Sequence, residues 1–109
     1  MEHDHALRIG APVAVDGRTV RIDLDGELDT PNTAAFVTAF HQILADTAAP
    51  LIELGASHLT FLDSAGVQAL VECKKAASVA GRDVLVRDPV PIVHQVLAIT
   101  ELLGDFGLE

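Results

Sequence analysis

Asp63, Ser64, Ala65 and Gly66 place a carboxylate, a hydroxyl and two of the smallest side chains in consecutive positions. They lie inside "LTFLDSAGVQAL", a stretch that changes its rule halfway. Its first residues read as the end of a strand, whereas Val67, Leu70 and Val71 fall at helical spacing, so the hydroxyl stands where a helix begins. Two roles compete for it. As a helix N-cap, the Ser64 oxygen would accept one of the orphan amide hydrogens, worth ~1 kcal/mol. As a phosphoacceptor, it would hold a phosphate against the positive end of the helix dipole and its free amides, so the modified chain could stay folded. Ala65 and Gly66 leave the hydroxyl sterically open, and Asp63 stands beside it. A switch by surface charge is therefore physically available here.

Other chemistries fit less well. A nucleophile elbow wants glycine two residues before and two after its serine; Gly66 satisfies the second condition, but position 62 is Leu62. His41, His58 and His94 are candidate bases, yet a catalytic serine also needs an oxyanion hole and a cleft, for which a short chain offers no visible material. His3 and His5 with Asp4 resemble a weak metal site, although a terminal stretch of this kind is usually a solvated tail. A phosphoacceptor-aspartate receiver would need a lysine after a late strand, and "LVRDP" supplies arginine.

The composition bounds the partners. The 109 residues suit one domain with one apolar core. Half are hydrophobic, but Phe supplies all four aromatic residues, so Leu, Val, Ile and Ala must build that core. Seven basic against 16 acidic residues give a formal charge of −9, which would repel nucleic acid and anionic membrane surfaces. No apolar run approaches the ~20 residues of a membrane span, and "MEHDHALRIG" lacks the pattern of a signal peptide. The single Cys73 lies in a helical apolar stripe and reads as a packed thiol of a reducing compartment, hence the cytoplasm.

The elements that must position Ser64 follow from periodicity. In "VAVDGRTVRIDLDGELD", two runs flank Asp16-Gly17, and Val20, Ile22 and Leu24 alternate with Arg21, Asp23 and Asp25, which predicts a hairpin with one buried face. Thr30 is the expected cap of a first helix, with Pro31 at its first position and Phe36, Val37, Phe40, Ile43 and Leu44 on its inner side, ending near Thr47. "LIEL" predicts a short central strand. After Ser64, the positions Gly66, Leu70, Cys73, Ala77 and Ala80, flanked by Val67 and Val71, form the inner stripe of a second helix, with Gly81 as its C-cap. "DVLVR" predicts a strand, and Pro91 opens a third helix carrying Ile92, Val93, Val96, Leu97 and Leu103. The order β-β-α-β-α-β-α implies an α/β fold with a mixed sheet and helices packed on it.

"GELDTPNT" after the second predicted strand, followed about thirty residues later by "LTFLDSAGVQALV", resembles a STAS domain, in particular the bacterial anti-sigma factor antagonists. The resemblance spans nearly the whole chain as a single domain over residues 1–109. It implies a non-enzymatic protein that binds an anti-sigma factor with serine-kinase activity, releases a sigma factor, and is switched off by phosphorylation. ATP would then belong to the partner, and no cofactor is expected on this chain. By position the phosphoacceptor is Ser64. Glu27, Asp29, Asp63, Ala65 and Gly66 would form the partner-binding face, with Glu27 and Asp29 supplying an acidic surface near the switch. Two departures stand out. Many family members carry a second Ser or Thr where this chain has Ala65. In "LAITELLG", Glu101 occupies the place of a family glycine, so the third helix is expected to run on toward Gly104. STAS domains also serve as accessory subunits of phospholipid-trafficking ABC transporters and as stressosome modules, and the Asp-Ser joint alone does not separate these roles.

Overall fold

A computed structural model describes residues 6–109. The elements in chain order are β1 (Leu7–Ile9), β2 (Val13–Ala14), β3 (Thr19–Leu28), a 3-10 turn (Thr30–Asn32), α1 (Thr33–Asp46), β4 (Leu51–Leu62), α2 (Ser64–Val79), β5 (Asp83–Arg87) and α3 (Pro91–Ile99). One mixed sheet runs in the order β1-β3-β4-β5, with β2 also paired to β3. The β3–β4 and β4–β5 pairs are parallel, and β1 and β2 both run antiparallel to β3.

The alternation read in β3 is realised. Val20, Ile22 and Leu24 are buried, while Arg21, Asp23 and Asp25 turn to the other face. There Arg21 bridges Asp23 and Asp88 at 3.1 Å each, and Arg87 meets Glu53 at 3.4 Å. The helices and the C-terminal segment close the apolar face, where Phe36, Phe40, Leu54, Leu70, Cys73, Val93, Leu97 and Phe106 join one core. Burial of this kind is the main drive to fold.

Several local expectations change. The hairpin of β2 and β3 forms, but Asp16 braces its turn: the carboxylate accepts the Arg18 backbone N–H at 2.8 Å, which also holds that carboxyl below the ordinary range. Gly17 is not among the left-handed glycines, which are Gly26, Gly81 and Gly107. The additional strand β1, unexpected from three residues, pairs further along the same edge of β3. "LIEL" is only the start of β4, a strand of 12 residues in all that ends at Leu62. Asp29, not Thr30, caps the turn that leads into α1: it forms a reciprocal capping box with Asn32, whose Oδ1 accepts the Asp29 backbone N–H at 3.1 Å.

The inner stripe of α2 holds at Gly66, Val67, Leu70, Cys73 and Ala77, with Ala69 added, whereas Ala80 is exposed at the helix end. Gly81 follows with φ +76°, and the N–H groups of Gly81 and Arg82 return to Ser78 and Ala77 at 2.9 and 2.8 Å, closing a Schellman motif. The third helix does not run on toward Gly104. It stops at Ile99, Leu103 lies beyond it, and Glu101 itself takes the left-handed conformation at φ +61°. No helix among the described residues is long and apolar enough to cross a membrane.

Candidate functional site

The ends of β3 and β4 lie side by side, with Leu28 paired to Leu62. Both leucines are buried, so the next residue on each strand emerges at the same edge of the core. On β4 that residue is Asp63, whose backbone N–H donates to the Leu28 carbonyl at 3.4 Å. Asp63 has extended backbone angles and its Oδ1 accepts the Gly66 N–H at 2.8 Å, which makes it the N-cap of α2. Its other oxygen, Oδ2, accepts both the backbone N–H and the hydroxyl of Thr30, each at 3.2 Å. Ser64 is therefore the first residue of the helix rather than its cap, which corrects the capping role expected for it. Its side chain is exposed.

Gly66 explains why small residues follow. A Cβ at this position would lie 2.4 Å from the Leu28 carbonyl oxygen and 2.7 Å from Leu62 Cδ1, so only glycine lets α2 start this close to the two strand ends. Ala65 is half-buried and brings no hydroxyl.

The turn before α1 completes the surroundings. Glu27 is half-buried at the end of β3, and its carbonyl accepts from Asn32 Nδ2 at 2.7 Å. Asp29 is only 3% exposed, engaged with the turn it caps. Asp29, expected on an acidic surface near Ser64, is thus buried, whereas Glu27 and Asp63 are half-buried. The sequence singles out Thr30 only as a helix cap, not as a partner of Asp63, and does not single out Asn32. The Asp-x-x-Asn spacing carries a faint capping-box signal for Asn32, but the link from Thr30 to Asp63 joins residues 33 positions apart and leaves no local trace.

The three internal histidines are dispersed. His41 lies in a groove of about 350 Å³ between α1 and α2, with Val37, Glu72, Lys75, Ala76 and Val79. His58, on β4, has its Nδ1 3.3 Å from the Ser57 hydroxyl. His94 is exposed on α3. The metal reading of His3, Asp4 and His5 falls outside the described residues. Residues 12–107 match the family described as "Mlab, STAS domain". The chain belongs to the STAS domain family.

This STAS domain is similar to solved anti-sigma factor antagonists. Unphosphorylated SpoIIAA superposes with a TM-score of 0.74 at 23% identity, over 92% of this chain and 84% of that one. The antagonist from Mycobacterium paratuberculosis gives 0.77 at 20% identity, over 97% and 87%. Phosphorylated SpoIIAA, a Bacillus cell fate determinant, gives 0.65 at 22% identity, over 92% and 87%. No curated protein sequence matches the chain. Identities this low establish a shared fold, the mixed sheet with its packed helices.

Proposed function

We propose that this STAS domain is an anti-sigma factor antagonist, which binds an anti-sigma factor with serine-kinase activity, frees the sigma factor, and is switched off by phosphorylation of Ser64. The observation that carries this reading is the division of labour at the start of α2: Asp63 caps the helix, and the Ser64 hydroxyl stays exposed. The fold likeness to solved antagonists supports it.

A phosphate at Ser64 would add about −1.5 to −2 charges beside Asp63, on a chain already at −9. A partner docked there meets a larger and more negative surface, so affinity falls. Within the domain, the first-turn amides and the helix dipole offset part of the added charge, and the fold persists. The chain acts by binding in the cytoplasm; ATP and the chemistry of transfer belong to the partner.

The test is titration of wild type, Ser64→Asp and Ser64→Ala against the cognate anti-sigma factor, with and without ATP, alongside thermal melts and mass spectrometry of the Ser64 peptide. Ser64→Asp should bind more weakly at nearly unchanged melting temperature, and Ser64→Ala should bind and resist inactivation by ATP. Undiminished binding of Ser64→Asp, or no phosphate on wild type after incubation with kinase and ATP, would overturn the proposal.

A second reading draws on the same helix end. An aspartate-capped α2 start, with alanine at position 65, needs no phosphate to present a docking surface, as an accessory subunit of a lipid transporter would require. Recovery of a transporter ATPase and permease from a detergent-solubilised native lysate, instead of an anti-sigma kinase, would favour it.

A further inference from the structure

Thr30 sits in the turn between β3 and α1, exposed, with its backbone N–H and its hydroxyl both 3.2 Å from the same Asp63 oxygen. The other Asp63 oxygen is held at 2.8 Å by the Gly66 N–H of α2. One carboxylate is thus fixed from two elements far apart in sequence. A carboxylate can accept about four hydrogen bonds and, held on one oxygen alone, keeps freedom to turn about its side-chain torsions. Backbone N–H groups put one donor on each oxygen, and the hydroxyl of the threonine, which is stiff about χ1, adds a second bond to Oδ2 that tightens this hold. Ala65 supplies no hydroxyl, and a hydroxyl that bonds the Asp63 carboxylate comes from the neighbouring turn.

We propose that Thr30 is a positioning residue for the Ser64 site: its hydroxyl, added to its own backbone N–H on Oδ2, tightens the lock on the Asp63 carboxylate in the capping orientation and so sets how the first turn of α2 faces the Glu27 turn. The consequence for partner docking rests on the antagonist reading above; the lock itself does not. A docking protein that spans both elements meets a surface whose spacing Thr30 and Asp63 hold, in addition to the backbone bond from Asp63 to Leu28.

The test compares Thr30→Val, which keeps the shape and the backbone N–H but removes the hydroxyl donor, with Thr30→Ser, which keeps the donor. Amide hydrogen exchange at Gly66, followed by NMR, should quicken about tenfold in Thr30→Val and return to within about twofold of wild type in Thr30→Ser. Affinity for the cognate anti-sigma factor should fall several-fold in Thr30→Val and recover in Thr30→Ser, with melting temperatures close to wild type. Unchanged Gly66 exchange in Thr30→Val would overturn the lock. A serine variant as fast as the valine variant would show that shape, not the donor, matters, and would overturn it too. Faster exchange with undiminished affinity would reduce Thr30 to support of the helix end and overturn the positioning role. If wild type binds no anti-sigma factor, the antagonist reading falls, and the exchange series alone carries or sinks the Thr30 assignment.

Discussion

The backbone N–H of Gly66 donates to Asp63 Oδ1 at 2.8 Å, and this bond places the cap of α2 one residue before the exposed serine. The two neighbours should therefore separate in mutagenesis. Asp63→Ala removes the cap and also releases Thr30, so a loss of about 1–2 kcal/mol is expected in urea unfolding. Ser64→Ala removes an exposed hydroxyl from the first helical position and should stay within about 0.5 kcal/mol of wild type. Equal costs would mean that the serine shares the capping role.

Gly66 inverts the usual helix ranking. Alanine is the better helix former by ~1 kcal/mol, yet its methyl group would meet the Leu28 carbonyl at 2.4 Å, and backbone does not yield cheaply. Gly66→Ala should destabilise by about 1–3 kcal/mol, as overpacking does, and Gly66→Val by more. The check is denaturant unfolding of both variants. A Gly66→Ala chain as stable as wild type would show that α2 can shift away from the strand ends at little cost.

Glu101 offers a gain instead. It occupies the left-handed position after α3 at φ +61°, where the N–H groups of Glu101 and Leu102 return to Ala98 and Leu97 at 3.0 and 2.8 Å. A side chain in this conformation costs about 1–2 kcal/mol and glycine adopts it freely, so Glu101→Gly should raise stability by roughly 1 kcal/mol. A lowered melting temperature would contradict the C-terminal geometry of α3.

These cases show what local pattern reveals and where it stops. Val20, Ile22 and Leu24, the stripe from Gly66 to Ala77, and Gly81 were legible because each rests on a period or a conformational preference within a few residues. The full length of β4 was not, because its pairing with β3 shifts register between Asp23 and Asp25 and between Gly26 and Glu27, which breaks the two-residue alternation. The end of α3 was hidden because a glutamate fills a place that favours glycine. At the site, the Asp-Ser joint was visible, but both residues are strong caps, and only the direction of the Gly66 N–H decides between them. Thr30 reads from local pattern only as a helix cap, and its bond to Asp63 was invisible because that partner comes from a different element of the fold.

Cys73 gives a prediction that depends on pH. It is fully buried on α2, and burial, with a smaller contribution from Glu72, pushes its thiol up to about 12. In the unfolded chain the thiol should titrate near its ordinary value of ~8.5. The folded pKa is the higher one, so the associated stability is fully present below ~8.5 and declines as the unfolded chain loses its proton. It is exhausted once the pH passes the folded value near 12, a total of about 5 kcal/mol. The chain has no tyrosine, and Lys74 and Lys75 are its only lysines, so few other groups contribute to this alkaline limb. Urea unfolding between about pH 9 and 11 should show a steep loss of stability in wild type that flattens in Cys73→Ala, which starts about 1 kcal/mol lower at neutral pH because of the small void. A thiol reagent should correspondingly modify the native protein far more slowly than the denatured chain. A Cys73→Ala chain that declines as steeply as wild type, or equal reaction rates in the two states, would show that the thiol is not sealed between α2 and the sheet.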